Sequence, residues 1–391
     1  MRQYAVMSRF LVAVGSAALA ACLSGCAGDA GALERSEPTG ALSIVVGAHA
    51  AAPAPGLAGY AASARDMAVT QQSFFSVVVA DGAPYVSASG ALDASGETDE
   101  ARQESREANR ELIDDAVTGA RARTPEVDLL AALRVAADSI RDQPGHRSIV
   151  VVDPGLSTTG ALDFRQPDLL DAVPQEVADA LGARQQLPGL AGISVRFTGL
   201  GRAAEPQAEL SPIRQAQLED LWTVIARTAG ASFVEVQPSF AEGEPAADLP
   251  PVSTVAVPLG YACRGNVMTV TGGELAFVHG TDAWLDTETA ERILEPLADQ
   301  MNTRQLSAVL RGTTADIRDV DEQNMLSYLQ AQAIANLWLE NDVPQQQLTV
   351  VGLGSNFPGR LPERDAQGNL DPIAAAANRA ITITFSAPVT C

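Results

Sequence analysis

Three histidines, four cysteines and a glycine-flanked serine are the residues from which catalysis in this chain would have to be built. A nucleophile needs a base beside it and a third group to orient that base. Ser157 stands in Gly155-Leu156-Ser157-Thr158-Thr159-Gly160, one position short of a nucleophile elbow, whose second glycine comes two residues after the serine. His146 and His279 are isolated and show no metal-ligand spacing, and no Cys/His pair qualifies as nucleophile and base. Asp114 and Asp115 are neighbours on a predicted helix and so do not share a face, while Arg102, Glu104, Arg106, Glu107, Arg110 and Glu111 read as its solvated surface. The side chains point to binding rather than catalysis, with no catalytic residue, metal or cofactor expected.

Two of the cysteines suggest a different chemistry. Arg2 and Arg9 precede an apolar stretch at 10–23 that is short for a membrane span of about 20 residues. Within it stand Leu19-Ala20-Ala21-Cys22 and Leu23-Ser24-Gly25-Cys26, each a branched apolar residue, two small residues and a cysteine. The pattern resembles the lipobox of bacterial lipoprotein precursors, which implies export, acylation of the cysteine and cleavage just before it. Cys26 is the expected lipid site, because the small and acidic residues after it suit a tether; Cys22 is the alternative. Residues 1–25 are then a signal peptide and 26–40 a flexible tether. Acyl chains contribute about 0.8 kcal/mol per buried methylene, enough for two or three of them to hold a protein on the outer face of the cell membrane. Two thiols remain, Cys263 and Cys391, and an exported compartment permits them to pair.

Charge narrows the partners. The 391 residues carry 26 Lys plus Arg, every one of them arginine, against 48 Asp plus Glu, a net charge of −22. Nucleic-acid binding by bulk electrostatics needs a cationic face and is excluded. A hydrophobic share of 46% allows buried cores, and 391 residues suggest two or three domains.

The elements that would position any site follow from the pattern. Residues 42–46 are an all-apolar run, as in a strand buried on both faces. A helix is predicted at 61–73. Strands at 75–80 and 85–88 flank Asp81-Gly82, whose residue types suggest a hairpin turn with positive φ. Helices at 98–121 and 126–141, a strand at 148–152, a helix at 174–181, a strand at 193–200, a helix at 211–229 and a strand at 233–236 complete the first part. Strands regularly separated by helices, with one hairpin, predict a three-layer α/β sandwich with a mostly parallel sheet over 41–238. Residues 239–251, rich in proline and acid, read as a linker.

This order resembles the von Willebrand factor A fold. Thr124 ahead of Asp128-Leu129-Leu130-Ala131-Ala132-Leu133 is similar to that family's metal-loop threonine before a helix, and Asp153-Pro154-Gly155 to its strand-end aspartate. The family's Asp-x-Ser-x-Ser loop is replaced by Gly47-Ala48-His49-Ala50-Ala51, so the resemblance implies a scaffold whose metal site is lost. His49, Thr124 and Asp153 are then expected to converge at the carboxyl ends of the strands, as a degenerate ligand loop. For His49 the alternative is a loop imidazole bonded to nearby backbone.

Over 252–391, a strand with a turn at 267–278, strands at 307–311, 348–353 and 380–385 and helices at 287–301 and 321–340 are predicted. Leu326-Ser327 lies in the second helix, Val351-Gly352-Leu353-Gly354 is followed by Pro358, and Ala375-Ala376-Ala377-Asn378-Arg379 precedes the last strand. This βαβαββ order with these motifs resembles the OmpA-like domain, whose members bind peptidoglycan, holding the carboxylates and amine of diaminopimelate with an arginine and an aspartate. Here Ala315 and Gln330 stand at those aspartate and arginine positions, Asp316 is one residue on, and Asn378 and Arg379 remain of a closing Asn-Arg-Arg. The resemblance implies a weakened wall-peptide site of Asp316, Gln330, Asn378 and Arg379, or a fold that has lost the ligand. It also makes Cys263 and Cys391 neighbours, if the first and last strands pair antiparallel. A lipid-anchored envelope binding protein follows, its partner being peptidoglycan or another envelope protein; the alternative is an interaction or adhesion module with the OmpA-like domain as scaffold.

Overall fold

The apolar run at 42–46 becomes the centre of a sheet. In the computed structural model, which describes residues 40–237 and 243–391, β1 (Gly40–Val46) is buried along its whole length. The lipid-site cysteines Cys22 and Cys26 lie outside the described residues. The chain continues through α1 (Tyr60–Thr70), β2 (Phe74–Val79), β3 (Tyr85–Ala91), α2 (Asp99–Thr118), α3 (Leu129–Ile140), β4 (His146–Val152), α4 (Pro174–Ala183), β5 (Ile193–Thr198), α5 (Pro212–Thr228) and β6 (Phe233–Gln237). Strand order is β3-β2-β1-β4-β5-β6. All pairs are parallel except β2 with β3.

A strand whose alternate side chains point to opposite faces needs an apolar layer on each. Leu42, Ile44 and Val46 pack with Ala61, Ala64, Val69, Ile113 and Val117 from α1 and α2. Ala41 and Val45 pack on the other face with Leu129, Leu133, Ala136 and Ile140 of α3. At about 1.5 to 3 kcal/mol per fully buried aliphatic side chain, this double burial fixes β1 at the centre. The helix starts follow their caps: the Thr98 hydroxyl accepts from Ala101 N, and the Asp128 carboxylate from Ala131 N.

The β2–β3 connection departs from expectation. Neither Asp81 nor Gly82 takes a left-handed φ. Instead the fully buried Asp81 carboxylate accepts backbone N–H groups of Ala83 (2.9 Å), Arg123 (2.8 Å) and Thr124 (3.0 Å), and its carbonyl accepts Asp128 N. The aspartate joins the hairpin loop to the segment before α3 rather than setting a tight turn.

A second sheet has the order β10-β9-β11-β8-β7. Its elements are β7 (Tyr261–Arg264), β8 (Val267–Val270), α6 (Thr287–Arg304), β9 (Ala308–Gly312), α7 (Val320–Glu340), β10 (Leu348–Gly352), α8 (Pro372–Asn378) and β11 (Ile381–Phe385). The order is therefore ββαβαβαβ, not βαβαββ. The strand expected at 267–278 ends at Val270, because Gly272 and Gly273, with φ of 128° and 60°, turn the chain away. The alanine-rich stretch before the last strand becomes α8, started by the Asp371 carboxylate and by Pro372 at its first turn. Leu294, Leu297 and Met301 of α6 pack with Ile334 and Trp338 of α7 over Leu310, Ile383 and Phe385. α7 crosses the strands so closely that a Cβ at Gly312 would overlap the backbone of Ser327, and one at Gly352 the backbone of Asn324.

The segment between the sheets belongs by packing to the first. Val252, Val255 and Val257 join its core, as do Ile373 and Ala376 of α8. Polar contacts hold this segment in place: Ser253 donates from N and Oγ to the two Glu126 carboxylate oxygens (3.1 and 2.7 Å), and Val255 N donates to Gln207 Oε1 (2.6 Å). Among the described residues no helix is long and apolar enough to cross a membrane.

Candidate functional site

A cleft of about 240 Å³ lies where α4 and α5 face the loop after β8, the start of α7 and the residue just before β11. Its polar lining includes Glu176, Gln217, His279, Arg318, Gln330 and Arg379. One wall is anchored by a buried ion pair. Arg214 of α5, 1% exposed, donates from Nη1 to Asp171 Oδ1 (2.7 Å) and from Nη2 to the Pro258 carbonyl (2.5 Å). Asp171 Oδ1 also accepts Gly273 N (2.8 Å), and Ser211 Oγ donates to Glu274 Oε1 (2.5 Å). These bonds fix the two left-handed glycines that end β8, and with them the loop carrying His279. A Cβ at Gly272 would overlap Asp171, so the approach requires glycine.

Across the cleft, Arg379 Nη2 donates to Glu176 Oε1, in the first turn of α4. The pairing joins residues 203 apart in sequence. Each partner keeps a further buried atom without a hydrogen-bond partner among the described residues, Arg379 Nη1 and Glu176 Oε2. The Arg318 guanidinium forms no ion pair or side-chain hydrogen bond among the described residues, and the residue is exposed. His279 is exposed as a residue. Even so, crowding of its ring is the main cause holding the imidazole below its ordinary pKa; Asp220 opposes the shift, Arg379 adds to it and Asp171 opposes it.

The four residues expected at the wall-peptide site divide into two groups. Gln330 and Arg379 line the cleft, and Gln330 Nε2 donates to the Thr281 carbonyl (2.8 Å). Asp316 and Asn378 sit in another network. Asn378, 2% exposed, donates from Nδ2 to the Leu361 carbonyl (2.9 Å) and Glu363 Oε1 (2.5 Å), and accepts Leu361 N at Oδ1 (2.9 Å). Asp316 pairs with Arg360 (3.2 Å) and accepts Gln323 Nε2 (2.9 Å), while its N–H donates to Glu363 Oε2 (2.8 Å). These two residues brace the loop between β10 and α8 instead of facing the cleft. Ala315 is fully buried.

Just past the ends of β1 and β4, His49 and Asp153 lie side by side, with Nε2 3.2 Å from Oδ2. Both are buried. Ala51 N donates to His49 Nδ1 (3.3 Å), which places the ring proton on Nε2, directed at the aspartate; Asp153 Oδ1 accepts Gly155 N (2.7 Å). Thr124 does not join them. Asp81 holds its backbone, and its buried Oγ1 has no partner among the described residues. Of the three residues expected to converge, His49 and Asp153 are in contact and Thr124 is not. Among the described residues no group of three or more His, Cys, Asp or Glu side chains is arranged to hold a metal. Ser157 is fully buried and its Oγ accepts Leu129 N (3.0 Å), the role of a second cap on α3.

Cys263, in β7, and Cys391, the last residue, are bonded with Cα atoms 5.8 Å apart, within the usual disulfide range. β7 pairs antiparallel with β8, and β8 with β11, so the bridge ties the sheet's edge to the segment after β11.

Residues 277–371 match the OmpA family. The C-terminal part carries an OmpA family domain. The match ends before Asn378 and Arg379. Solved structures with similarity to the OmpA-like domain include the periplasmic domain of Helicobacter pylori MotB, at 17% identity, covering 33% of this chain and 88% of that one, TM-score 0.26. The peptidoglycan-associated lipoprotein from Burkholderia pseudomallei is 18% identical, covering 28% and 85%, TM-score 0.23. An outer membrane protein from Borrelia burgdorferi is 17% identical, covering 32% and 97%, TM-score 0.24. No curated protein matches the chain.

No local pattern singled out Glu176, Asp171 or Arg214. Arg214 lies in the first turn of α5, where a charged residue reads as solvent-facing and gives no sign of its burial.

Proposed function

We propose that this protein is a non-catalytic envelope binding protein that links a membrane surface to peptidoglycan. The observation that carries the reading is the OmpA family match over 277–371, part of which lines a polar cleft that Gln330 and Arg379 also line. An arginine with an unpaired N–H suits a carboxylate through a charge-assisted hydrogen bond. The anchor is lipid on Cys26, or on Cys22, followed by a tether to residue 40. The part over 41–238, which resembles the von Willebrand factor A fold, presents a second surface, and 252–391 faces the wall. No catalytic centre enters the proposal: the buried His49 and Asp153 bond each other and nearby backbone, and Ser157 is occupied as a cap.

The test is co-sedimentation of the full chain in detergent with purified sacculi. Retention that Arg379→Ala weakens supports wall binding through the cleft. No retention of the unaltered chain overturns it.

A second reading has its own support. Both charged positions through which the family holds its ligand are neutral here, Ala315 and Gln330, and Arg379 is already paired with Glu176. A domain so altered suits a scaffold for an envelope protein partner. Partners that stay bound to the full chain after the wall is digested away favour this reading.

A further inference from the structure

The two halves of the chain keep separate cores. The first sheet packs with α3, α4 and α5 in one cluster, and the second sheet with α6 and α7 in another. The chain crosses between them at 257–261, where Val257 still packs on the first core and Tyr261 already packs on the second. Beside this crossing the halves are joined through backbone: Arg214 Nη2 donates to the Pro258 carbonyl, and Gly273 N to Asp171 Oδ1. Across the cleft they meet again where α4 packs beside α8, and the ion pair there is Arg379 with Glu176. α8 adds Ile373 and Ala376 to the first core, a small apolar share. Domains that meet through small, polar contacts move against one another.

The Arg379–Glu176 pair is poorly made for a permanent contact. One guanidinium N–H meets one carboxylate oxygen, while Arg379 Nη1 and Glu176 Oε2 are buried with no partner among the described residues. Desolvation of an ion pair is offset only where its remaining hydrogen-bonding atoms are satisfied. Withdrawal of α4 returns both stranded atoms to water, which lowers the cost of opening. Docked α4 also denies the guanidinium to an outside carboxylate, because Nη2 is taken and Nη1 has no access to solvent.

We propose that Glu176 is a built-in competitor for Arg379, and that the docked arrangement is the closed state of the cleft. The Glu176 carboxylate occupies the place of an anionic ligand group at the guanidinium, and binding requires α4 to swing away from α8 with the crossing at 257–261 as pivot. The first half of the chain thereby regulates the second. A ligand's apparent affinity is its intrinsic affinity reduced by the fraction of molecules that are open. The proposal rests on the wall-binding reading for the ligand and adds to it a latch.

The test pairs co-sedimentation on sacculi with hydrogen exchange of the α4 and α8 amides, using the full chain in detergent. Glu176→Gln keeps the side chain's shape and removes its charge. It should speed exchange in the first turn of α4 and in α8, and raise affinity for sacculi at least about tenfold, the worth of one charge-assisted hydrogen bond. The gain should vanish when Arg379→Gln is added, since it acts through that arginine. Asp179→Asn, which removes one charge from the exposed side of the same helix, should leave retention as it was. Soluble wall fragments added to the unaltered chain should speed exchange at the first turn of α4, whereas a site open in the docked arrangement would leave it unchanged or slow it. Retention that Glu176→Gln leaves unchanged or lowers overturns the competitor and leaves wall binding standing. Faster exchange in Glu176→Gln with no chain retained on sacculi overturns wall binding and keeps the latch. Equal exchange in the unaltered chain and Glu176→Gln, or a gain in retention that survives Arg379→Gln, overturns the latch.

Discussion

Replacing Arg214 with methionine should be among the most damaging single changes to this protein. The Arg214 side chain is 2% exposed, and the Asp171 side chain it faces is 5% exposed. Removing the arginine leaves that carboxylate buried with Gly273 N as its remaining close donor, and leaves the Pro258 carbonyl without its guanidinium donor. Breaking a buried pair from one side costs about 3 to 5 kcal/mol, because the abandoned charge keeps its desolvation penalty. For a unit this large, that loss lowers the midpoint of thermal unfolding by about 5 °C. Urea unfolding followed by tryptophan fluorescence measures it directly, since Trp222 lies on α5 as well and is fully buried. The double variant Arg214→Met with Asp171→Leu removes the stranded charge and should recover most of the stability, as apolar replacements of buried pairs often do. A single variant that loses less than about 1 kcal/mol, or a double variant no more stable than the single one, would falsify the claim that this pair anchors the cleft wall.

Three further outcomes are expected. Asp81→Ala should lower stability by about 3 kcal/mol in urea unfolding, because three backbone N–H groups lose one acceptor, and Asp81→Asn should lose less, since one oxygen remains. Burial pushes the Glu126 carboxyl up, but hydrogen bonds from Thr158 and Ser253 and the charge of Arg165 outweigh it and hold it below its ordinary range. A depressed carboxyl stabilises above its unfolded value, about 4.3, and that contribution fades as pH falls through the lower folded value. The stability gap between the natural chain and Glu126→Gln, at most about 1 kcal/mol for so exposed a group, should therefore close below about pH 4.3 in a pH series of unfolding midpoints. Replacing Cys263 and Cys391 with alanine opens a loop with a sequence separation of 128 and should cost roughly 4 to 5 kcal/mol, read as the difference between the oxidised chain and the double variant.

Much of the fold was legible because it is written locally. A run such as Leu42 to Val46 has no polar face and can only be a doubly covered strand, and Thr98, Asp128 and Ser211 mark helix starts by side chains that cap three residues on. The misreadings have local causes too. Asp81-Gly82 carries the residue types of a tight turn, yet Asp81 found better partners in the backbone at 123–124, which no short window contains. Tyr261–Arg264 was missed because a four-residue edge strand with alternating exposure gives almost no periodic signal. At the site the division is sharper. Arg379 and Gln330 were visible through family motifs, whereas Glu176 became visible only when α4 was seen to pack beside α8. Asn378 and Asp316 looked like ligand groups by their chemistry, but Asn378 is buried against Glu363 and Leu361, and the exposed Asp316 carboxylate is taken by Arg360 and Gln323.

The central place of β1 also decides how the protein would carry a load. On the proposed anchoring, a pull applied ahead of Gly40 would act along the axis of β1, against its direction of travel. β1 is laddered along its length to β2 on one side and β4 on the other, both parallel to it. Tension in that direction puts both ladders in shear, so their hydrogen bonds must give way together instead of opening one at a time from an end. An edge strand such as β3 would peel away rung by rung under a pull across it. The fold is thus stiffest along the line on which a tether between membrane and wall would act.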